Sequence, residues 1–465
     1  DGWRGIIGDD FTFANVRLCA HAVAHYIREA GLAERGLVVG YDTRFNSEEF
    51  AEAAAEVIVG NGIPVFLCDR PAPTPVVGYA ILHRRAGGSI VITASHNPRQ
   101  WSGFKFRPQY AGSAPPEVLA TIEQRILEIA ASGEIRRLPL SEAGTQGLLE
   151  RFDPDQAYRE QVARLLDLEG LRSAGLKVAV DSMHGAAAGY TQQLLSGGKT
   201  KVLELRSERN PYFPGMHNPE PIARNLASLI ETVAREGADV GLATDGDGDR
   251  LGLIDEKGRF INQLETFALL TYYLLEVRGL RGPIVKSVTT TDMVRRLGEL
   301  YGVPVHETAV GFKYLGPKMM EVDALIAGEE SGGYAFRGHL PERDGVLSGL
   351  YFLDFLARRG KKPSQLLEEL FERVGRHHYD RIDIPLPLEE AARLRERVRE
   401  LTPKEIAGRQ VQETDTTDGL RFRLDGGWAL IRFSGTEPLV RIYAEVRDEA
   451  LLPRLLEDCR RLIGI

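Results

Sequence analysis

Cysteine is scarce. The chain has three in 465 residues, Cys19, Cys68 and Cys459, odd in number, far apart and without CxxC spacing. That argues against a disulfide framework and a cysteine zinc site, and it fits a reducing cytosol, so a cytoplasmic location is expected. Basic charge is also short. The 58 Lys and Arg against 66 Asp and Glu leave −8, with a pI of 5.8. A broad nucleic-acid-binding face needs the opposite balance, although a local anion pocket does not. No apolar run is long enough to span a bilayer; the longest, around Phe267 to Val277, is broken by Thr271 and Glu276. No secretory signal is visible. The chain begins at Asp1 rather than Met, so the first residues of the natural product are expected to be missing. What is present is ordinary for a globular protein, 43% hydrophobic and 27% charged. At roughly 150 residues per domain this length implies about three domains, within a range of two to four. The 49 glycines, without low-complexity tracts, suggest many tight turns.

The chain reads as strand followed by helix, repeatedly. Gly36 to Asp42, Ile63 to Cys68 and Ser89 to Thr93 are continuous apolar runs of the kind a parallel sheet covered on both faces requires. A helix is expected from Ser47, with Asn46 as cap and Glu49 completing a capping box. The same grammar returns with strands at Leu176 to Val180, Thr200 to Leu205 and Ala238 to Ala243. It returns again at Pro283 to Ser287, Pro304 to Thr308 and Ala324 to Ala327. From His377 the order changes: a strand, a helix over Leu388 to Leu401, then strands at Arg421 to Leu424, Ala429 to Phe433 and Val440 to Val446, and a final amphipathic helix. The expected fold is therefore three consecutive α/β domains with mixed, mostly parallel sheets, residues 1–150, 151–255 and 256–372, plus a C-terminal α+β domain, residues 373–465.

Four loops carry candidate chemistry. Thr93-Ala94-Ser95-His96-Asn97-Pro98 follows a strand, where α/β sheets place active loops. Ser95 and His96 are adjacent and make no triad by themselves, and a Ser/Asn turn closed by Pro98 is the plain alternative. Lys105, ten residues on, adds a cation, and a hydroxyl near a cation suits phosphoryl chemistry better than acyl transfer. Asp245-Gly246-Asp247-Gly248-Asp249-Arg250 sets three carboxylates at alternate positions, a pattern for Mg²⁺ or Ca²⁺. Unpaired, they would repel. An EF-hand would place Glu256 at its twelfth position, but Arg250 stands where its glycine belongs and the flanks read as strands. Gly328-Glu329-Glu330-Ser331-Gly332-Gly333 follows an apolar strand and offers Glu329 and Ser331 to a polyol, or is simply a glycine turn. Arg432-Phe433-Ser434-Gly435-Thr436-Glu437-Pro438, with Arg441, forms either a phosphate cradle or a plain interstrand loop. His306, His377 and His378 show no ligand spacing. Together the loops offer a nucleophile, a metal cluster, a polyol reader and a phosphate anchor, one from each expected domain, and a central cleft would collect them.

In these four loops the chain resembles the α-D-phosphohexomutase superfamily of phosphoglucomutases and phosphomannomutases. Asp1-Gly2-Trp3-Arg4-Gly5 and Asn210 to Pro221 resemble further segments of that family, so the likeness covers nearly the whole chain. It implies that Ser95 is the phosphoserine and that Asp245, Asp247 and Asp249 hold one Mg²⁺ together with a phosphoserine oxygen. It implies that Arg250 neutralises transferring charge, and that Lys105, Lys286 and Arg4 bind charge or assist proton transfer, with His96 as a further catalytic candidate beside the serine. Glu329 and Ser331 would read sugar hydroxyls, with Gly311 and Lys313 also lining the substrate. Arg432, Ser434, Gly435, Thr436 and Arg441 would grip the non-reacting phosphate. The implied reaction interconverts hexose 1-phosphate and hexose 6-phosphate, glucose first, through a hexose 1,6-bisphosphate that also activates the enzyme. Mannose and glucosamine phosphates are the alternative substrates, and a non-catalytic sugar-phosphate binder is the other reading. The implied partner is the hexose phosphate, without nucleic acid or membrane, for a monomer or homodimer. Three positions depart from common family patterns: Ser102 where many relatives have Asn, Phe312 where some phosphomannomutases have His, and Gly333 where some sugar loops have His. The Gly-Glu-Glu-Ser-Gly-Gly form is more similar to glucose- or mannose-type mutases than to glucosamine-type ones.

Overall fold

The computed structural model describes residues 2–434 and 439–465. Four sheets follow one another along the chain. In the first, the strands run in the order Trp3–Ile6, Trp101–Pro108, Gly88–Ile92, Leu37–Tyr41, Val65–Cys68 and Leu149–Phe152. The last four are mutually parallel, and the first two are antiparallel to their neighbours. The second sheet has the order Phe260–Ile261, Leu251–Ile254, Val240–Thr244, Lys177–Asp181 and Lys201–Leu205. The third has Val305–Thr308, Ile284–Ser287, Ile326–Gly328 and Tyr334–Phe336. Each of the three contains the same unit: three parallel strands, the last in sequence turning back as an antiparallel partner. The fourth sheet, between His378 and Val446, is antiparallel throughout.

The apolar runs explain the parallel strands. All five residues of Leu37–Tyr41 and of Gly88–Ile92 are buried, as strands covered on both faces must be. The second strand begins at Val65 rather than at Ile63, since Pro64 has no N–H for a ladder. The strand Trp101–Pro108 was not anticipated, because its Ser102, Lys105 and Arg107 interrupt the apolar pattern; all three are nevertheless buried. The helix Ser47–Gly60 starts where expected, but the capping box does not form. Asn46 is left-handed at φ 55° and its side chain makes no cap, whereas capping requires an extended residue there. Ser47 Oγ instead donates to Asp42 Oδ1 at 2.7 Å. The first sheet extends to Phe152 and the second to Ile261, each past the boundary expected at 150 and at 255.

One apolar core runs through the first three domains, and the C-terminal sheet has a separate core with the helices Leu388–Arg399 and Leu452–Ile463. The C-terminal domain docks on the third through Val288, Trp428, Leu430 and Tyr443, and through buried charges. Arg421 Nη2 lies 2.5 Å and Arg423 Nη2 2.8 Å from Glu307 Oε2. Cys19, Cys68 and Cys459 are buried and free. Among the described residues no helix is long and apolar enough to cross a membrane.

Candidate active site

The three expected α/β loops leave their sheets at equivalent places, each joining the last parallel strand to its antiparallel partner: 93–100, 245–250 and 329–333. Ser95 is 2% exposed and left-handed, with φ 51°. That conformation is costly for a non-glycine residue and is typically held only where the surroundings enforce it. Here Arg44 enforces it. Its buried guanidinium donates to the carbonyls of Ser95 (2.7 Å), Asn97 (2.7 Å), Pro98 (3.0 Å) and Trp101 (2.9 Å), and Nε pairs with Asp42 Oδ2 at 3.1 Å. Arg4 Nη1 donates to Asn97 Oδ1 at 2.6 Å, and Asn218, from the Asn210 to Pro221 segment, donates to the His96 carbonyl at 2.9 Å.

The serine meets the aspartate loop. Ser95 Oγ donates to Asp245 Oδ2 at 2.7 Å, across 150 residues of sequence, and lies 3.3 Å from His96 Nδ1. Lys105 Nζ is 2.8 Å from Asp247 Oδ2, which also accepts from Thr74 Oγ1 at 2.6 Å. Asp245 Oδ1 accepts the backbone N–H groups of Asp249 and Arg250. Arg250 Nη1 reaches Glu220 Oε1 at 3.1 Å. Gly246 makes the approach possible: a Cβ there would lie 2.5 Å from the Ser95 carbonyl.

Burial and its two neighbouring carboxylates push Asp245 well above the usual carboxylate range. Burial would do the same to Asp247, but Lys105 and Thr74 hold it well below that range. Burial, then Arg250 and Arg4, push His96 well below the usual imidazole range. The trio fits a divalent cation. One oxygen from each of Asp245, Asp247 and Asp249 lies within 4.8 Å of the others, all three residues are buried, and Asp247 Oδ1 and Asp249 Oδ1 have no hydrogen-bond partner. Buried carboxylate oxygens without partners are what a hard cation satisfies.

The Gly328 to Gly333 loop joins this centre through a residue the motifs did not flag. Arg343 lies 3.1 Å from Asp249 Oδ2, 2.9 Å from Glu329 Oε1 and 3.0 Å from Glu342 Oε1. Ser331 Oγ donates to Glu329 Oε1 at 2.6 Å. Gly311 lies at the start of the helix Phe312–Glu321, and the Lys313 ammonium sits over the Tyr314 ring. The loop that follows Arg432 belongs to the C-terminal domain, which is tied to the third domain beside it. Asp418 Oδ2 accepts both the Val310 N–H and Arg432 Nε, each at 2.9 Å. Arg381 Nη1 is 2.5 Å from Glu330 Oε1, and its Nε is 2.9 Å from Asp383, whose other oxygen is 3.6 Å from Arg441 Nε. Ser434 is buried, and Gly435 and Thr436 lie outside the described residues.

The structure does not bring Lys286 to this centre. Its fully buried ammonium contacts the Thr290 and Thr291 carbonyls, Asp292 and Glu307, within the charged cluster that docks the C-terminal domain. Of the residues missed in the sequence, Arg44 stands just beyond a buried strand, the same position that singled out Ser95. Thr74, Arg343 and Asp418 carry no local signal; what ties each to its place is a partner far away in sequence, Asp247, Asp249 and Val310 respectively.

Comparison with known proteins covers all four domains. Residues 1–132, 156–258, 263–374 and 389–462 match the models of phosphoglucomutase/phosphomannomutase α/β/α domains I, II and III and of the C-terminal domain, respectively. A phosphoglucomutase/phosphomannomutase of Thermococcus kodakarensis is 32% identical over 98% of this chain and 96% of its own. A protein of Thermococcus gammatolerans named a probable phosphoglucosamine mutase is 32% identical over 99% and 97%. A solved phosphoglucomutase/phosphomannomutase family protein from Burkholderia thailandensis superposes with a TM-score of 0.83 at 26% identity, covering 99% of this chain and 95% of that one.

Proposed function

The chain belongs to the phosphoglucomutase/phosphomannomutase family of mutase-type isomerases, and from that premise we propose that it interconverts glucose 1-phosphate and glucose 6-phosphate through phospho-Ser95 and a 1,6-bisphosphate. The observation that carries this reading is the Ser95 Oγ to Asp245 Oδ2 hydrogen bond, 2.7 Å long, with Lys105 beside it on Asp247. It joins a hydroxyl, a carboxylate trio and a cation at one point, as transfer of a phosphoryl group requires.

In this reading Asp245, Asp247 and Asp249 hold Mg²⁺. When bound, the ion supplies positive charge against the phosphoryl oxygens. Arg44 and the left-handed backbone aim the Ser95 oxygen. The P–Oγ bond of phospho-Ser95 breaks as a bond from phosphorus to the free hexose hydroxyl forms, and that hydroxyl gives up its proton. His96 is the neighbouring base by position, 3.3 Å from Oγ. Lys105 and Arg250 offset the negative charge on the transferring group. The bisphosphate then reverses, and its other phosphate returns to Ser95. Arg432, Ser434, Gly435, Thr436 and Arg441 anchor whichever phosphate is not reacting, while Glu329, Ser331, Gly311 and Lys313 face the sugar. Lys286 serves domain docking. The Gly-Glu-Glu-Ser-Gly-Gly loop favours glucose or mannose over glucosamine; glucose is the first substrate of this reading, with mannose and glucosamine phosphates as the alternatives.

The test is a rate comparison with glucose, mannose and glucosamine 1-phosphates, with Mg²⁺ and the matching 1,6-bisphosphate supplied. Glucose 1-phosphate should give the highest kcat/KM. No turnover of any of the three contradicts the mutase reading.

A further inference from the structure

The sugar loop ends in two glycines, and the second has a specific neighbour. A Cβ on Gly333 would lie 2.1 Å from Cδ and 2.4 Å from Cγ of Arg343. The stem of Arg343 therefore fills the space that a side chain at 333 would take. It cannot easily move aside, because its guanidinium is pinned by three carboxylates: Asp249 of the metal loop at 3.1 Å, Glu329 of the sugar loop at 2.9 Å and the adjacent Glu342 at 3.0 Å. Glu342 is itself anchored to the first domain, where Arg107 Nη1 and Ser113 Oγ each donate to Oε2 at 2.5 Å. Arg343 is 7% exposed, and its ring neighbour is Phe312, 5.3 Å from the guanidinium carbon. Phe312 and Gly333 are both positions where this sequence departs from common family patterns, and both pack on this one arginine.

We propose that Gly333 and Arg343 form a specificity-determining pair: the glycine makes room for the arginine, and the arginine fixes the Glu329 carboxylate that faces the sugar. The inference rests on the mutase reading and deepens it. A planar guanidinium held at two edges fixes a carboxylate in orientation as well as in place. Glu329 Oε1 is shared between Arg343 and Ser331, so hydroxyl recognition falls to an acceptor whose direction Arg343 sets. Arg343 is a positioning residue here, acting on the sugar through Glu329.

The experiment measures kcat/KM for glucose, mannose and glucosamine 1-phosphates with the wild-type chain, Gly333→Ala and Arg343→Lys. Gly333→Ala displaces the arginine stem; Arg343→Lys keeps the charge and loses the fork. The ratio between the best and second-best sugar should fall at least tenfold in both variants. An equal loss on all three sugars, total loss included, or an unchanged ratio overturns the pair. Thermal unfolding shows whether each variant is folded, and the second variant decides if the first is not. Wild-type turnover alone tests the mutase reading, so the two failures are distinguishable.

Discussion

Ser95 combines strain, burial and a short bond to a carboxylate, a combination that clusters at functional sites. Replacing it with alanine should leave the thermal transition close to wild type and lower kcat by about a thousandfold or more, roughly 4 kcal/mol of transition-state stabilisation. Near-normal kcat with the bisphosphate supplied would remove Ser95 as nucleophile. Arg44 is the structural counterpart. Arg44→Met strips four carbonyls of a donor and leaves the buried Asp42 without its cation, so unfolding free energy should fall by about 3–5 kcal/mol in a urea titration. An unchanged midpoint would mean that the loop does not depend on it. Ser95 and the aspartate trio were legible because a hydroxyl and close carboxylates at strand ends are chemically conspicuous. Arg44 and Arg343 were not, since their meaning lies in carbonyls and carboxylates that only the fold brings near.

At the scale of the element, the candidate site sits in turns that reverse from a parallel to an antiparallel strand. The strands before these turns were readable as apolar runs. The strand after the serine turn was not, because Ser102, Lys105 and Arg107 look like loop residues and are buried for their partners instead. The failed capping box at Asn46 teaches the same point: the spacing was right, but the backbone there is left-handed. The contact between turns yields a prediction of its own. Gly246→Ala puts a methyl group 2.5 Å from the Ser95 carbonyl and must push the serine and aspartate turns apart. Given the sensitivity of transfer to misplacement of about 1 Å, kcat should drop about a hundredfold, while Tm moves by only a few degrees. A wild-type kcat would show that the two turns need not touch.

Across the whole molecule, one topology occurs three times and presents its turn to a common point, while the fourth domain touches the third of these turns through Arg381 on Glu330. The order of the domains was legible in the sequence; their convergence was not, since the successive turns are 145 and 79 residues apart along the chain and nothing local encodes their meeting. The seam between the third and fourth domains carries a pH signature. Burial, and then Asp292, push Glu445 up to about 7, while its Oε1 accepts the Asp292 N–H at 2.8 Å. A carboxyl whose folded value is raised stabilises the protonated protein. That contribution is whole below the ordinary glutamate range and is lost as pH rises through 7, up to about 3 kcal/mol. Between pH 5 and 8 the wild-type Tm should therefore fall more than that of Glu445→Gln; equal slopes would mean that Glu445 does not titrate there. The central claim, that Ser95 carries the transferred phosphate, is tested most directly by intact-mass and peptide-mapping spectrometry after incubation with glucose 1,6-bisphosphate and Mg²⁺. A gain of about 80 Da on Ser95, removed by excess hexose monophosphate and missing in Ser95→Ala, is the expected result. No gain, or a gain on another residue, would contradict the account.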